Sequence, residues 1–121
     1  MAIVFNSNIP IYLQVKEDIE MTIITGLKKS GEKLDSVRDL ALYYGVNPNT
    51  IQRALSELER SGLIFTQRAV GKYVTLDEEL VKELKKRVSI EKVKEFISRM
   101  MELGNNQEEI IRLINQEMGE L

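Results

Sequence analysis

SVRDLALYYGVNPNTIQRALSELER, residues 36–60, reads as two short helices separated by a tight turn. Ser36 followed three residues later by Asp39 has the form of a capping box: the hydroxyl takes an orphan N–H and the carboxylate reaches back, so a helix should start at Val37. Leu40, Ala41 and Tyr44 then recur at three- and four-residue spacing, and Gly45 supplies the positive φ that ends a helix without a Cβ clash. Asn47 then Pro48 is a second start signal, because Asn is a preferred N-cap and Pro at the first helical position loses an N–H that had no partner. Ile51, Ala54, Leu55 and Leu58 follow on one face, and the opposite face carries Asn49, Arg53, Ser56 and Arg60 with Thr50 and Gln52 on its flanks.

Two helices joined by a Gly-containing turn, the second presenting Asn, Gln and Arg outward, make the helix-turn-helix arrangement. The residue types suit base edges: Asn and Gln pair bidentately with adenine and Arg with guanine, whereas Lys and Glu dominate an ordinary solvated face. A bland reading, a helical hairpin in an interaction domain, stands beside it, because short capped helix pairs are common.

The flanking sequence completes the unit. Pro10 opens a helix with Ile11, Val15, Ile19 and Ile23 four residues apart, Leu27 continuing the series; Lys16, Glu17 and Glu20 read as solvated charges. Residues 2–5 are a short apolar run readable as an edge strand or an arm. After Arg60, Ser61 and Gly62 stop the helix. Residues 63–66 and 72–75 have the β-branched and aromatic content of two strands, joined by a turn over residues 67–71. Three helices followed by a two-stranded hairpin predict a winged helix, whose basic, Gly-containing turn suits a phosphate or a minor groove.

Composition narrows the function classes. The chain has 121 residues, 43% hydrophobic and 30% charged, which marks a soluble globular protein and fits one domain of modest core or one small domain with an appendage. It has no Cys and no His, so thiolate zinc sites, disulfides and Ser-His or Cys-His catalysis are excluded; an enzyme would have to rest on carboxylates, Lys or Tyr, and no convergent motif supports one. No cofactor is expected. No stretch approaches a membrane span and the first 15 residues carry no Lys or Arg, so a cytoplasmic location is the expectation. The net charge of −2 is unevenly spread: residues 28–74 hold eight Lys and Arg against five Asp and Glu, and both flanks are acidic. Phosphate binding depends on the local field, so this distribution is compatible with DNA.

Five segments in order then resemble one known family. They are Pro10-Ile11-Tyr12-Leu13-Gln14-Val15, Ser36-Val37-Arg38-Asp39-Leu40-Ala41, Gly45-Val46-Asn47-Pro48-Asn49-Thr50-Ile51-Gln52-Arg53-Ala54, Leu58-Glu59-Arg60-Ser61-Gly62-Leu63-Ile64 and Gly71-Lys72-Tyr73-Val74. Together they span almost all of residues 9–75 and resemble the bacterial GntR-type transcriptional regulators, within them the short YtrA-type branch. The resemblance implies a dimeric DNA-binding repressor with a small helical C-terminal region. Its pattern of DNA contacts carries over to Arg38, Asn47, Asn49, Thr50, Arg53, Arg68 and Gly71, and the chemistry of base edges adds Gln52. Departures are visible: Asp35 stands where the family usually has Pro, Ala69 where the wing usually has Gly, and Pro48 and Gln52 where better-known branches place Arg.

Beyond the hairpin, Asp77 should cap a helix with Leu80, Leu84 and Val88 on its apolar side. Lys85, Lys86 and Arg87 read as a solvated run, and Ser89 as a restart. Ile90, Val93, Ile97, Met100 and Met101 line the next face with Phe96 adjacent, Gly104 stops it, and residues 106–109 open a last helix with Ile110, Ile111, Ile114 and Met118 apolar. An antiparallel pair of about 45 residues has no third layer to hide both stripes. A second copy of the chain is the simplest cover, with Leu84, Val88, Val93, Phe96, Ile97, Met100, Ile110 and Ile114 as dimerisation residues; the alternative is folding back on the winged helix. Met-rich packing also suits a small pocket, so an unidentified small-molecule effector stays open.

The expectation is therefore a mainly α chain with a small β-hairpin: a winged helix-turn-helix DNA-binding domain over residues 1–76 and an antiparallel helical pair for dimerisation over 77–121. Its expected function is sequence-specific transcriptional regulation as a homodimer on an inverted-repeat operator in double-stranded DNA, as a repressor, without enzymatic activity. The rival from another class is a winged-helix protein–protein interaction module, which would show no salt-dependent association with duplex.

Overall fold

The computed structural model describes residues 3–121 and contains five helices and one hairpin: α1 (Ile11–Ile24), α2 (Val37–Tyr44), α3 (Pro48–Arg60), β1 (Ile64–Gln67), β2 (Gly71–Val74), α4 (Glu78–Glu102) and α5 (Gln107–Met118). Two compact units divide it, Met1–Glu83 and Leu84–Leu121, the boundary falling inside α4.

In the first unit, α1 and α2 both pack against α3, α1 the more extensively. Val15, Ile19 and Ile23 of α1 meet a core of Leu40, Ala41, Tyr44, Ile51, Ala54, Leu55 and Leu58, all nearly inaccessible. Truncating Leu58, which is fully buried, to Ala would cost about 2–5 kcal/mol. The expected stripe on α1 is shorter than its sequence spacing. Thr25 caps the helix and Gly26 turns away at φ 80°, which leaves Leu27 outside it and 76% exposed. Glu20, expected in solvent, is buried: it flanks the stripe, and the Lys16 ammonium lies 3.6 Å from its carboxylate. The Tyr44 hydroxyl donates to Asp18 Oδ2 at 2.7 Å and ties α2 to α1. Burial first, then that carboxylate, pushes the Tyr44 phenol far above its ordinary range, so it stays a protonated donor.

The hairpin pairs Ile64 with Val74 through Gln67 with Gly71 in antiparallel register, one residue later than expected on its first strand and one earlier on its second. Backbone bonds from Leu34 N–H to the Lys72 carbonyl and from Val74 N–H to the Glu32 carbonyl lay residues 32–34 along the other edge of β2. The wing is thus held from both sides. Of the apolar run at residues 2–5, Ala2 lies outside the described residues, and Ile3 to Phe5 have no regular structure.

α4 runs without interruption through Ser89, which does not restart it. No Gly or Pro lies between residues 78 and 102, and the segment is rich in Glu, Lys, Leu and Arg, so propensity carries the helix across the point where its apolar stripe shifts. Asp77 caps it through Leu80 N–H at 3.1 Å. Gly104, at φ 95°, ends the turn before α5, whose capping box is complete: Asn106 Oδ1 accepts from Glu109 N–H and Asn106 N–H donates to Glu109 Oε1, both at 2.9 Å. Within the second unit only Leu84 and Ile110 are buried. No helix among the described residues is long and apolar enough to cross a membrane.

Candidate nucleic-acid interface

The turn that sets the angle between α2 and α3 is built from three local devices. Ser36 Oγ accepts from Asp39 N–H at 3.1 Å and starts α2. The reciprocal half of the expected capping box is absent, because the Asp carboxylate is one methylene shorter than the Glu that usually reaches back. Gly45 takes the left-handed conformation, φ 67° and ψ 39°, and the chain turns. Asn47 Oδ1 accepts from Asn49 N–H at 2.7 Å, and Pro48 occupies the first helical position of α3.

With Ile51, Ala54, Leu55 and Leu58 buried, the remaining face of α3 is left to solvent: Asn49, Gln52, Arg53, Ser56 and Arg60 are exposed and Thr50 is half-buried. Asn47 is exposed beside them, although its side-chain oxygen is committed to the cap. Arg38 is exposed in the first turn of α2. At the hairpin tip Arg68 is exposed and Gly71 half-buried, joined through Ala69 and Val70. Every residue expected to touch DNA is therefore accessible, on three different elements.

Ion pairing separates the cations that sequence alone left equivalent. Lys28 pairs with Glu32 at 3.4 Å, Arg60 with Glu57 at 2.7 Å, and Lys72 with Glu59 at 3.4 Å. Among the described residues Arg38, Arg53, Arg68, Lys29 and Lys33 have no carboxylate within salt-bridge distance. Lys33 was not singled out from the sequence. Its side chain lies along the wing, and a Cβ added at Gly71 would fall 2.9 Å from Lys33 Cε, which is the close approach that glycine permits.

The wing is braced to the end of α3. The Thr66 hydroxyl donates to Glu59 Oε1, and Lys72 Nζ reaches Thr66 Oγ1 at 2.8 Å and Glu59 Oε2 at 3.4 Å. The Thr66 hydroxyl first, then the Lys72 charge, holds the Glu59 carboxyl below its ordinary range. An open groove of about 700 Å3 lies between the wing and the start of α2. Lys33 and Lys72 line it, but so do Asp35 and Asp39, so it is not a cation-lined cradle. Arg53 has a partner that spacing did not reveal: its guanidinium carbon sits 4.0 Å from the centre of the Tyr12 ring on α1.

Comparison with known proteins agrees with this geometry. The chain is 41% identical over 107 residues to the uncharacterized HTH-type transcriptional regulator YhcF of Bacillus subtilis, covering 88% of each chain. It is 44% identical over 69 residues to the HTH-type transcriptional repressor YtrA of the same organism, covering 57% of this chain and 53% of YtrA. Its fold is similar to that of a GntR family transcriptional regulator from Listeria monocytogenes, with a TM-score of 0.85, 42% identity, and coverage of 93% of this chain and 98% of that one. It is also similar, over 60% of its length and 93% of the other chain, with a TM-score of 0.56 and 28% identity, to the AraR DNA-binding domain in complex with operator ORX1. Residues 11–74 match the bacterial regulatory proteins of the gntR family, and the chain therefore belongs to the GntR family of transcriptional regulators, of the YtrA type, with a DNA-binding helix-turn-helix.

Proposed function

We propose that the chain is a homodimeric repressor that binds an inverted-repeat operator, reading base edges with the exposed face of α3 and positioning itself on phosphates with α2 and the wing. The observation that carries this reading is the two-sided character of α3: one face is wholly buried, and the other offers Asn49, Gln52 and Arg53 with no Lys among them. Residues of that kind on a helix exposed along its length fit the major groove, where Asn and Gln match adenine and Arg matches guanine. Arg38 and Arg68, exposed and without carboxylate partners among the described residues, suit phosphate on either side. Asn47 acts as the side-chain cap of α3 and Gly71 as the close-approach residue of the wing. The repressor named YtrA supports the sign of regulation.

Division of labour follows the same proposal: residues 1–76 bind DNA and residues 77–121 bring two copies together. Its support is the amount of apolar side chain left uncovered in the second unit, where Val93, Phe96, Ile97 and Ile114 are all more than a third exposed. Leu84 and Ile110, already buried within one chain, would shape the surface instead of meeting the partner, with Val88 and Met100 at its margin.

Selection of duplexes from random sequence, followed by fluorescence anisotropy on the selected and an unselected duplex at several salt concentrations, tests the function. Enrichment of a two-fold symmetric sequence with a steep salt dependence is expected. Salt-insensitive or absent association with any duplex would instead favour protein–protein docking.

A further inference from the structure

We propose that Tyr12 is a positioning residue for DNA recognition, a ring platform on α1 that holds the Arg53 guanidinium where it meets the operator; the inference rests on the reading of α3 given above. The Arg53 guanidinium carbon lies 4.0 Å from the Tyr12 ring centre, within the range of a cation–π contact. Among the described residues no carboxylate competes for Arg53, so the ring is what orders it. Stacking on an aromatic face occupies the guanidinium plane and leaves its N–H donors, which point along that plane, free to bond outward. A carboxylate partner would have consumed those donors, as Glu57 does for Arg60 at 2.7 Å. The contact therefore removes rotamer freedom from a long side chain before DNA arrives without using the groups that DNA needs.

The platform is itself fixed. Val15, three residues beyond Tyr12, is fully buried against the core. Gln14 binds the turn ahead of α1 through three bonds: its Nε2 donates to the carbonyls of Asn6 and Ile9, each at 2.8 Å, and its Oε1 accepts from Asn6 N–H at 2.7 Å. A ring on the first turn of α1 is thereby set over the outward face of α3, and α1 gains a share in recognition beyond its part in the core.

A double-mutant cycle on the full chain tests this, using a duplex that the wild-type protein selects from random sequence and an unselected duplex of equal length. Tyr12→Leu should weaken binding to the selected duplex about three- to fivefold and leave the unselected duplex nearly unchanged. Tyr12→Phe, which keeps the ring face, should restore the loss. In an Arg53→Ala background Tyr12→Leu should cost nothing further. Equal losses in both Arg53 backgrounds, or tighter binding by Tyr12→Leu, would overturn the proposal, the latter by showing that the ring sequesters the cation. If Arg53→Ala itself costs nothing on the selected duplex, the reading of Arg53 fails and the platform with it; if Arg53→Ala costs affinity but the cycle is additive, only the platform fails. A second measurement needs no DNA: the Arg53 Nε–H resonance should show a ring-current shift in wild type and Tyr12→Phe that Tyr12→Leu abolishes, and its absence in wild type would overturn the stacking.

Discussion

Arg38 and Arg53 should lose different things when cut to alanine, because they leave the surface from different helices. Arg38 is exposed in the first turn of α2, which suits it to a phosphate contact. Arg38→Ala should weaken binding to every duplex and flatten the salt dependence by about one unit, since one fewer counterion is released. Arg53→Ala should cost about 1–3 kcal/mol on the operator and much less on random duplex, because only the operator offers the matching base edge. Anisotropy titrations of both variants on both duplexes check this; equal losses for Arg53→Ala would move base reading to Asn49, Thr50 and Gln52. Ala69 supplies a stability test in the wing. It is the one non-glycine residue among those described with positive φ, at 65°, a conformation that costs an L-residue about 1–2 kcal/mol. Ala69→Gly should relieve that strain, lose part of the gain to unfolded-chain entropy, and raise stability by up to about 1 kcal/mol, read as a higher denaturant midpoint. This position was legible in the sequence as a departure from the usual Gly, because backbone geometry there depends on neighbours in the chain. The Tyr12 partner of Arg53 was not legible, because it joins residues 41 positions apart through the packing of α1 on α3.

At the scale of elements, the brace between α3 and the wing decides how the two present themselves together. Glu59, Thr66 and Lys72 form it, and removing the carboxylate leaves Lys72 without its counter-charge. Glu59→Gln should thus loosen the hairpin while freeing a cation: tip amides from residues 67 to 71 should exchange faster with solvent, and non-specific DNA affinity should rise about twofold to threefold with a steeper salt slope. Hydrogen exchange and anisotropy read the two effects separately. The same group confers a pH dependence. Because the Glu59 carboxyl is held below its ordinary value of 4.5, the brace contributes fully above that pH and is lost as pH falls through the lowered value. The stabilisation is well under about 1 kcal/mol, as the group is largely exposed. Helix starts at Val37, Pro48 and Glu78 were readable because caps are local, made between residues two or three apart. The continuity of α4 was misjudged at Ser89 for the opposite reason. The drift of its apolar stripe looks like a break when only spacing is followed, although helix propensity is unbroken there.

For the whole molecule, the uncovered face of the second unit is the fact that calls for a partner. Ile90, Val93, Ile97 and Met101 recur at three- and four-residue spacing along α4 and are each more than a third exposed; Ile111, Ile114 and Met118 do the same on α5, with the exposed Leu113 beside them. The backbones of α4 and α5 make no close approach comparable to that of α1 with α3, so the pair does not seal itself. A lone chain rarely leaves so many large apolar side chains in water, whereas a stable dimer hides about 800 Å2 per partner. Under the proposed dimer, the expected operator is an inverted repeat with half-sites about one helical turn apart. The full chain should therefore sediment as a dimer at micromolar concentration. The fragment of residues 1–83, which contains the whole first unit and the first turns of α4 with Leu80 beside Gly62, should be a folded monomer. Phe96→Asp combined with Ile97→Asp in the full chain should give monomers with an unchanged helical spectrum, since neither side chain is buried within one chain. Its affinity for a single half-site should match wild type, and its affinity for the full inverted repeat should fall at least a hundredfold, because the second half-site no longer binds as an intramolecular event. A monomeric wild-type chain, or a double variant that stays dimeric, would move the interface out of the second unit; full affinity of a monomeric variant for the repeat would show that the two half-sites are bound independently.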